Sequence, residues 1–535
     1  MFVSYEFVIF LLALLIAYYL IPKRFQWILL LAANFLFYCS AGGYAWILIL
    51  VTSVTVYLAG IMIGRLDGVL EDYNQRIKAG EIPKPSREEK KEYKRKINNK
   101  KKRCMLICLL LNLGILAVLK YTNFVIENIN VVMNAAGNHD KSIAYMDLIL
   151  PLGISFYTFQ AVGYLLDVYW GKCEPQKNLP RFVLFVSFFP QLIQGPISRY
   201  SDLSQTLYRE HAFDWKQVRF GLERVLWGYF KKLVVADRIS IVVANLMGDP
   251  DYYTGAYVLI GMLFYAAQLY ADFTGGIDIT IGIAQALGIH VEENFIRPFF
   301  SKNIAEYWRR WHITMGTWFR DYVFYPCSLS GPVKNITLFC KKHFGMGMAR
   351  RIAVYISTMI TWFATGIWHG ADWHFIAWGL TNGVIILISE ELTPLYAKFH
   401  EKFPKLVASA AYRGFQIIRT FLLLCCIRLF DTYGSVRVSC RQFLHMFTKF
   451  DLQKVTGTEM QALGLSLSEY IVFFAGVAVM FLVSMAGRRK SVRVQIAELP
   501  YAVRFGIFVL LFFVVLLFGT YGIGFDAQQF IYNQF

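Results

Sequence analysis

The sequence predicts an all-α, polytopic membrane protein, and three observations carry that prediction. Of its 535 residues, 56% are hydrophobic and 17% aromatic, with a positive mean hydropathy; a soluble domain of this length does not have that composition. Apolar runs of spanning or nearly spanning length recur along the whole chain. The basic residues behind the net charge of +18 mostly flank those runs, the pattern of positive-inside topology and not of nucleic-acid binding.

Taken in order, residues 5–21, 25–39, 44–63, 104–119 and 148–170 supply the first candidate spans. Residues 224–246, 253–272, 353–369, 374–388, 417–430, 471–485 and 503–518 bring the total to about twelve. The opening Met1 to Glu6 has no basic n-region, and no small-residue cleavage site precedes Pro22, so the first run reads as a retained span. Pro22-Lys23-Arg24 and residues 65–103, 172–181, 334–351, 398–413 and 488–493 can all be cytoplasmic at once, whereas turns such as 40–43 and 247–251 are uncharged or acidic. That arrangement puts both termini outside. The nine cysteines lie mainly in or beside apolar runs, as buried thiols do, and show no zinc spacing.

Two regions break the pattern. Residues 65–103 carry mixed charge at helical spacing and close on Lys100-Lys101-Lys102-Arg103, which fits a helical hairpin, a basic arm on anionic lipid, or a solvated linker. Between residues 172 and 351, the run 182–193 is too short to span comfortably, and 271–287 is interrupted by Asp272, Gly275-Gly276 and Asp278. Broken segments at membrane depth need protein or a water-filled cavity around them, so a central cavity is expected here.

His369 ends an uncharged run and is followed by Gly370, Ala371, Asp372, Trp373 and His374. An ionisable group at membrane depth is a functional candidate by default. The spacing of five between the two histidines turns a helix by about 500°, which separates the rings and argues against a shared metal. His312 lies in a stretch from Glu293 to Tyr322 dense in aromatic and basic side chains. If Trp308 to His312 is helical, Trp308, Trp311 and His312 share a face and Arg309 and Arg310 turn away, as in an interfacial helix. The two arginines then either snorkel to lipid phosphate or clamp the phosphates of a donor.

Four motifs stand in order: Gln268-Leu269-Tyr270-Ala271-Asp272-Phe273-Thr274-Gly275, Glu293-Asn294-Phe295-Ile296-Arg297-Pro298-Phe299, Trp308-Arg309-Arg310-Trp311-His312-Ile313 and Trp368-His369-Gly370-Ala371. With them the chain resembles the membrane-bound O-acyltransferases, in the branch containing the alginate O-acetylation and teichoic-acid D-alanylation proteins. The region from Pro22 to Phe37 and the closing Phe530-Ile531-Tyr532-Asn533-Gln534-Phe535 share the resemblance. The chain departs from the pattern at Thr274-Gly275-Gly276-Ile277, where a serine-glycine-aromatic sequence is commoner, and at Cys327-Ser328-Leu329-Ser330, where a Gly-Gly turn is usual.

The resemblance implies a helical ring of about twelve spans, with re-entrant and interfacial helices around a central cavity. The segments are then residues 1–64 as N-terminal spans, 65–103 as a basic cytoplasmic loop, 104–430 as the catalytic core, and 431–535 as an extracytoplasmic loop with C-terminal spans. By motif position His369 matches the family's catalytic histidine and His312 its second functional histidine. Arg309, Arg310, Trp308, Trp311, Asn303 and Asp272 are the expected donor- or substrate-binding residues, with Trp308, Trp311 and Asn303 the candidate oxyanion donors.

The resemblance further implies transfer of an acyl group, acetyl first, from a cytoplasmic thioester, acetyl-CoA or an acyl carrier, for O-acetylation of a cell-surface exopolysaccharide. No permanently bound cofactor and no metal is expected. The implied partners are an extracytoplasmic serine-hydrolase-like acyltransferase, a polysaccharide synthase complex and membrane lipids, in a bacterial inner membrane. D-alanyl transfer to teichoic acid, a transporter or flippase using a membrane histidine, and a non-catalytic scaffold are the alternatives. Sixteen helical residues from Ala353 advance about 24 Å, which puts His369 toward the outer side and His312 nearer the cytoplasm.

Overall fold

The computed structural model describes residues 2–42, 46–137, 141–148, 150–521 and 530. The expected turn at 40–43 and the motif closing at Phe535 therefore lie partly outside the described residues. The described secondary structure is helical apart from one isolated antiparallel bridge, Phe295 with Trp311. By length and apolarity alone, five helices can cross a membrane: Trp46–Ala79, Arg87–Ala135, Ala256–Ala286, Leu467–Ala486 and Tyr501–Phe518. Trp373–Glu391 with Thr393–Lys402, bent by 46°, makes a sixth. Several of the other expected runs fold as shorter or more polar helices, among them Ile154–Tyr169 and Ala410–Ile427.

The chain forms two compact units, one of residues 9–214 and 287–291, the other of residues 1–8, 215–286 and 292–535. In the first, residues 65–103 form a helical hairpin, one of the three readings the sequence allows. They are the facing ends of Trp46–Ala79 and Arg87–Ala135, and only residues 80–86 leave helical structure between them. Gly80 turns the chain with φ 76°. Ser86 then caps the second helix reciprocally with Glu89, through bonds of 3.1 and 2.7 Å. Tyr73 stacks on Tyr93 at 4.1 Å, and Lys101 pairs with Asp67 at 2.6 Å. A charged sequence continues as helix here because its ends are capped and its charges meet partners.

The short run after Lys177 is broken as its sequence suggests. Leu179–Ser187 and Phe189–Leu192 meet at Phe188, and residues 182–198 are buried throughout. Gln191 Nε2 donates to the carbonyl of Pro196 at 3.0 Å and so serves the irregular backbone from within.

In the second unit, Trp215–Tyr229 runs through a π-helical turn, Phe230–Ala236, into Asp237–Gly248. It packs on Ala256–Ala286, which is one unbroken helix of 31 residues. The interruption expected at residues 271–287 is thus corrected. Gly275 is a contact and not a break: a Cβ on Gly228 would stand 2.6 Å from the Gly275 carbonyl oxygen, and one on Gly221 would stand 2.5 Å from that of Gly282. Small residues let the two backbones close up. The acids are absorbed by the π-helical turn, where Lys232 reaches Asp272 and Asp237 at 2.7 Å each and Lys231 reaches Asp278 at 2.6 Å.

His369 ends a helix of 39 residues, Gly331–His369, interrupted only where Gly345 takes φ 85° and ψ 174°. Gly370 and Ala371 turn the chain. Asp372 caps Trp373–Glu391, which packs back against the same helix.

Candidate active site

The His312 segment is built by backbone pairing. Ile296 N–H donates to the Arg310 carbonyl at 2.9 Å and Ile313 N–H donates to the Asn294 carbonyl at 3.0 Å, around the Phe295–Trp311 bridge. Residues 308–312 are therefore not one helix, and the shared face expected of Trp308, Trp311 and His312 does not form. Ile304–Trp308 ends, the chain pairs through Trp311, and His312 starts Ile313–Phe319 from the left-handed region, φ 47° and ψ 52°. Among the described residues only His312 and Arg297 (φ 50°) combine a side chain with positive φ. Arg297 also precedes a proline, which narrows its choices further. Such conformations cost on the order of 1–3 kcal/mol each and concentrate at functional sites.

His312 is fully buried, and burial pushes its pKa down to about 3, so the ring is neutral. Asn294, also fully buried, sets its tautomer. The Asn294 Oδ1 accepts from Thr314 N–H at 3.0 Å and from Thr314 Oγ1 at 2.9 Å, which uses both lone pairs. Its Nδ2 lies 3.2 Å from His312 Nδ1, closer than Oδ1 at 3.4 Å. The amide donates and Nδ1 accepts, so the proton of neutral His312 resides on Nε2.

His369 lies near this ring, and both imidazoles contact Trp368. Ring centroids are 6.0 Å apart for His312–Trp368 and 5.1 Å for Trp368–His369, so the two imidazoles are no more than about 11 Å apart. That is less than half the rise of the helix bearing His369, so any passage joining them is short. Trp378 flanks His369 at 4.6 Å and continues to Trp308 at 5.6 Å. On the other side Phe273, from the long glycine-bearing helix, meets His312 edge-on at 4.9 Å.

The remaining expected residues divide. Trp308 borders the cluster, but its indole N–H donates to Asn382 Oδ1 at 3.1 Å, which occupies the donor wanted for an oxyanion. Trp311 is an aromatic core residue, stacked with Tyr307 at 5.5 Å and covered by the Arg428 guanidinium at 4.9 Å. Asn303 caps Ile304–Trp308 by accepting from Glu306 N–H at 2.8 Å. Arg310 pairs with Glu306 at 2.5 Å, Arg309 is exposed, and Asp272 pairs with buried Lys232. His374 Nδ1 stands 3.0 Å from Asp372 Oδ1, and the described residues bring no three metal-ligating side chains together.

Sequence reasoning missed Asn294, Asn382 and Trp378. Asn294 stood inside a quoted motif, and an uncharged amide between Glu293 and Phe295 was a usable signal. Asn382, fully buried in an apolar helix, was another.

The chain as a whole is similar to proteins of known kind. A family model described as MBOAT, membrane-bound O-acyltransferase family, matches residues 176–339, which include Asn294 and His312. The chain is 30% identical over 492 residues to the probable alginate O-acetylase AlgI of Azotobacter vinelandii, covering 91% of this chain and 86% of that one. It is 30% identical over 337 residues to the peptidoglycan O-acetyltransferase of Helicobacter pylori, covering 58% and 60%. It is 28% identical over 286 residues to the teichoic acid D-alanyltransferase of Bacillus subtilis, covering 52% and 68%. Matched over nearly its whole length by one such protein, and with the membrane-spanning helices such a protein needs, the chain belongs to the membrane-bound O-acyltransferase family and is a multi-pass membrane O-acyltransferase.

Proposed function

We propose that this enzyme takes an acyl group, acetyl first, from a cytoplasmic thioester and delivers it across the membrane for O-acetylation of a cell-surface exopolysaccharide. The observation that carries the reading is the pair of imidazoles that share contact with Trp368, one of them with its tautomer fixed. In this reading His369 accepts the proton of the acceptor hydroxyl as that oxygen attacks the thioester carbonyl. His312 donates from Nε2–H to the oxyanion that develops. Collapse of the tetrahedral species breaks the carbon–sulfur bond, and the proton held by His369 passes to the leaving thiolate. General-base help of this kind is typically worth ~10²–10⁴-fold, and an oxyanion donor a comparable factor.

The acetyl reading draws support from relatives named as an O-acetylase and an O-acetyltransferase. The relative named as a D-alanyltransferase supports the second reading, an aminoacyl group from a carrier protein passed to teichoic acid. If the final step to polysaccharide uses a serine nucleophile, a separate extracytoplasmic serine-hydrolase-like partner supplies it, beside a polysaccharide synthase in a bacterial inner membrane; the sequence itself carries no Gly-x-Ser-x-Gly elbow.

The test is thioester consumption by purified protein in vesicles, with acetyl-CoA and a D-alanyl carrier offered separately. The native chain is compared with His369→Ala and His312→Ala. Turnover of one donor, lost in both variants, is the expected result; undiminished turnover in both variants sinks the assignment.

A further inference from the structure

Apart from the histidine pair, the second unit holds a cavity of about 690 Å³, within the range of ligand sites. Its two ends differ in chemistry. One end, at the turn joining Leu467–Ala486 to Tyr501–Phe518, is lined by Ser484, Ser491, Arg297 and Arg493. The other is a wall of Val479, Val483, Phe508, Leu511 and Val514. From Tyr501 to Val514 a helix advances about 20 Å, which exceeds the ~15 Å depth of one leaflet, so the apolar wall lies at acyl-chain depth.

The charges at the polar end are not balanced internally. Arg224 is held by Glu293 at 2.6 Å and Asp278 at 2.7 Å, Lys231 by Asp278 at 2.6 Å, and Glu223, which also lines the cavity, by Arg219 at 3.3 Å. Arg297 and Arg493 have neutral acceptors: Ser484 Oγ at 3.4 Å and Met485 Sδ at 3.9 Å for the first, the Phe220 carbonyl at 2.6 Å and Gln285 Oε1 at 3.1 Å for the second. Among the described residues neither has a carboxylate at ion-pair distance. Arg488 and Arg310 add like charge beside Arg297. Arg297 also takes a left-handed backbone, φ 50°, a conformation that concentrates at functional sites.

We propose that this cavity binds an anionic glycerophospholipid, its phosphate at the Arg297 and Arg493 end and one acyl chain along Val483, Phe508 and Leu511. Planar guanidinium groups match phosphate oxygens, and basic pockets between membrane helices are the established form of headgroup recognition. A bilayer lipid is favoured over a soluble anion because the apolar wall belongs to two helices whose outward faces are among the most apolar and least covered in the chain. The site is independent of which acyl group the enzyme moves.

The full-length protein in mixed micelles of phosphatidylglycerol and phosphatidylcholine, read by native mass spectrometry, tests this. The expected result is a preference for phosphatidylglycerol of about 30-fold, the scale of two surface guanidinium groups. Arg297→Gln and Arg493→Gln should each remove several-fold of it, and Arg297→Lys should keep most. Val483→Trp fills the chain groove without touching a charge and should lower phosphatidylglycerol retention independently. Equal retention of the two lipids by the native chain, unchanged retention in Val483→Trp, or displacement of phosphatidylglycerol by millimolar inorganic phosphate or acetyl-CoA would each overturn the proposal.

Discussion

Asn294 donates its side-chain amide to Nδ1 of His312 at 3.2 Å, while Thr314 takes up both lone pairs of the Asn294 oxygen. The amide is therefore oriented by a backbone N–H, which cannot reverse its role, and the orientation passes to the imidazole. Asn294→Asp should invert this. A carboxylate accepts from Nδ1–H, moving the neutral-ring proton off Nε2, and it also favours the imidazolium. A loss of about 10²-fold in kcat with little change in KM is expected, on the scale of one lost oxyanion donor. Imidazole nitrogen NMR of His312 should report the changed tautomer; an unchanged tautomer would refute the assignment.

The same variant has a pH signature. Burial lowers the His312 pKa to about 3, so the native ring stays neutral as pH falls through the ordinary imidazole range, and His312 contributes no acid limb there. Beside a carboxylate the pKa rises. Activity of Asn294→Asp should therefore fall further below neutrality, at a higher pH than in the native enzyme. A parallel profile for the two proteins would contradict the sign.

Lys232 bridges two buried carboxylates, Asp272 and Asp237. Its removal strands both acids, whereas removal of Asp272 leaves a one-to-one pair. Lys232→Met is expected to be the more damaging, by about 3–5 kcal/mol as for a broken buried pair, and Asp272→Asn the milder. Thermal unfolding in detergent gives the order; the reverse order would show that Asp272 has a role beyond the pair.

Gly221→Val should prevent close approach of Trp215–Tyr229 to Ala256–Ala286, since its Cβ alone would sit 2.5 Å from the Gly282 carbonyl oxygen. A cost of about 1–3 kcal/mol or more is expected, because backbone on backbone leaves no side chain to yield. Gly68→Ala, where a Cβ meets nothing within 4 Å, is the matched control. Comparable yields of monodisperse protein from both would count against the packing argument.

A cysteine at Asp372, in a background with exposed Cys39 and Cys440 replaced, should react with impermeant thiol reagents from the extracytoplasmic side. Labelling confined to the cytoplasmic side would overturn the placement of His369 toward the outer side.

The two histidines were legible in the sequence because an ionisable ring among apolar residues is conspicuous by its cost. Their neighbours were less so. Asn294 reaches His312 only because residues 294–296 pair with 310–313, and that pairing requires a left-handed residue that composition does not announce. Gly275 was misread because its reason lies on another helix, at Gly228. The charged hairpin around Ser86 was one of three readings open for residues 65–103, because hydropathy records where a helix meets lipid and not where it ends.

The left-handed conformation of His312 bears on how its variants should be compared. Alanine removes the ring but still carries a Cβ through positive φ, so the distortion stays; glycine removes the ring and the penalty together. The stability difference between His312→Gly and His312→Ala, once the ~0.4–1 kcal/mol of extra unfolded-chain entropy of glycine is added back, thus measures how much folding energy is tied up in holding that imidazole where it stands.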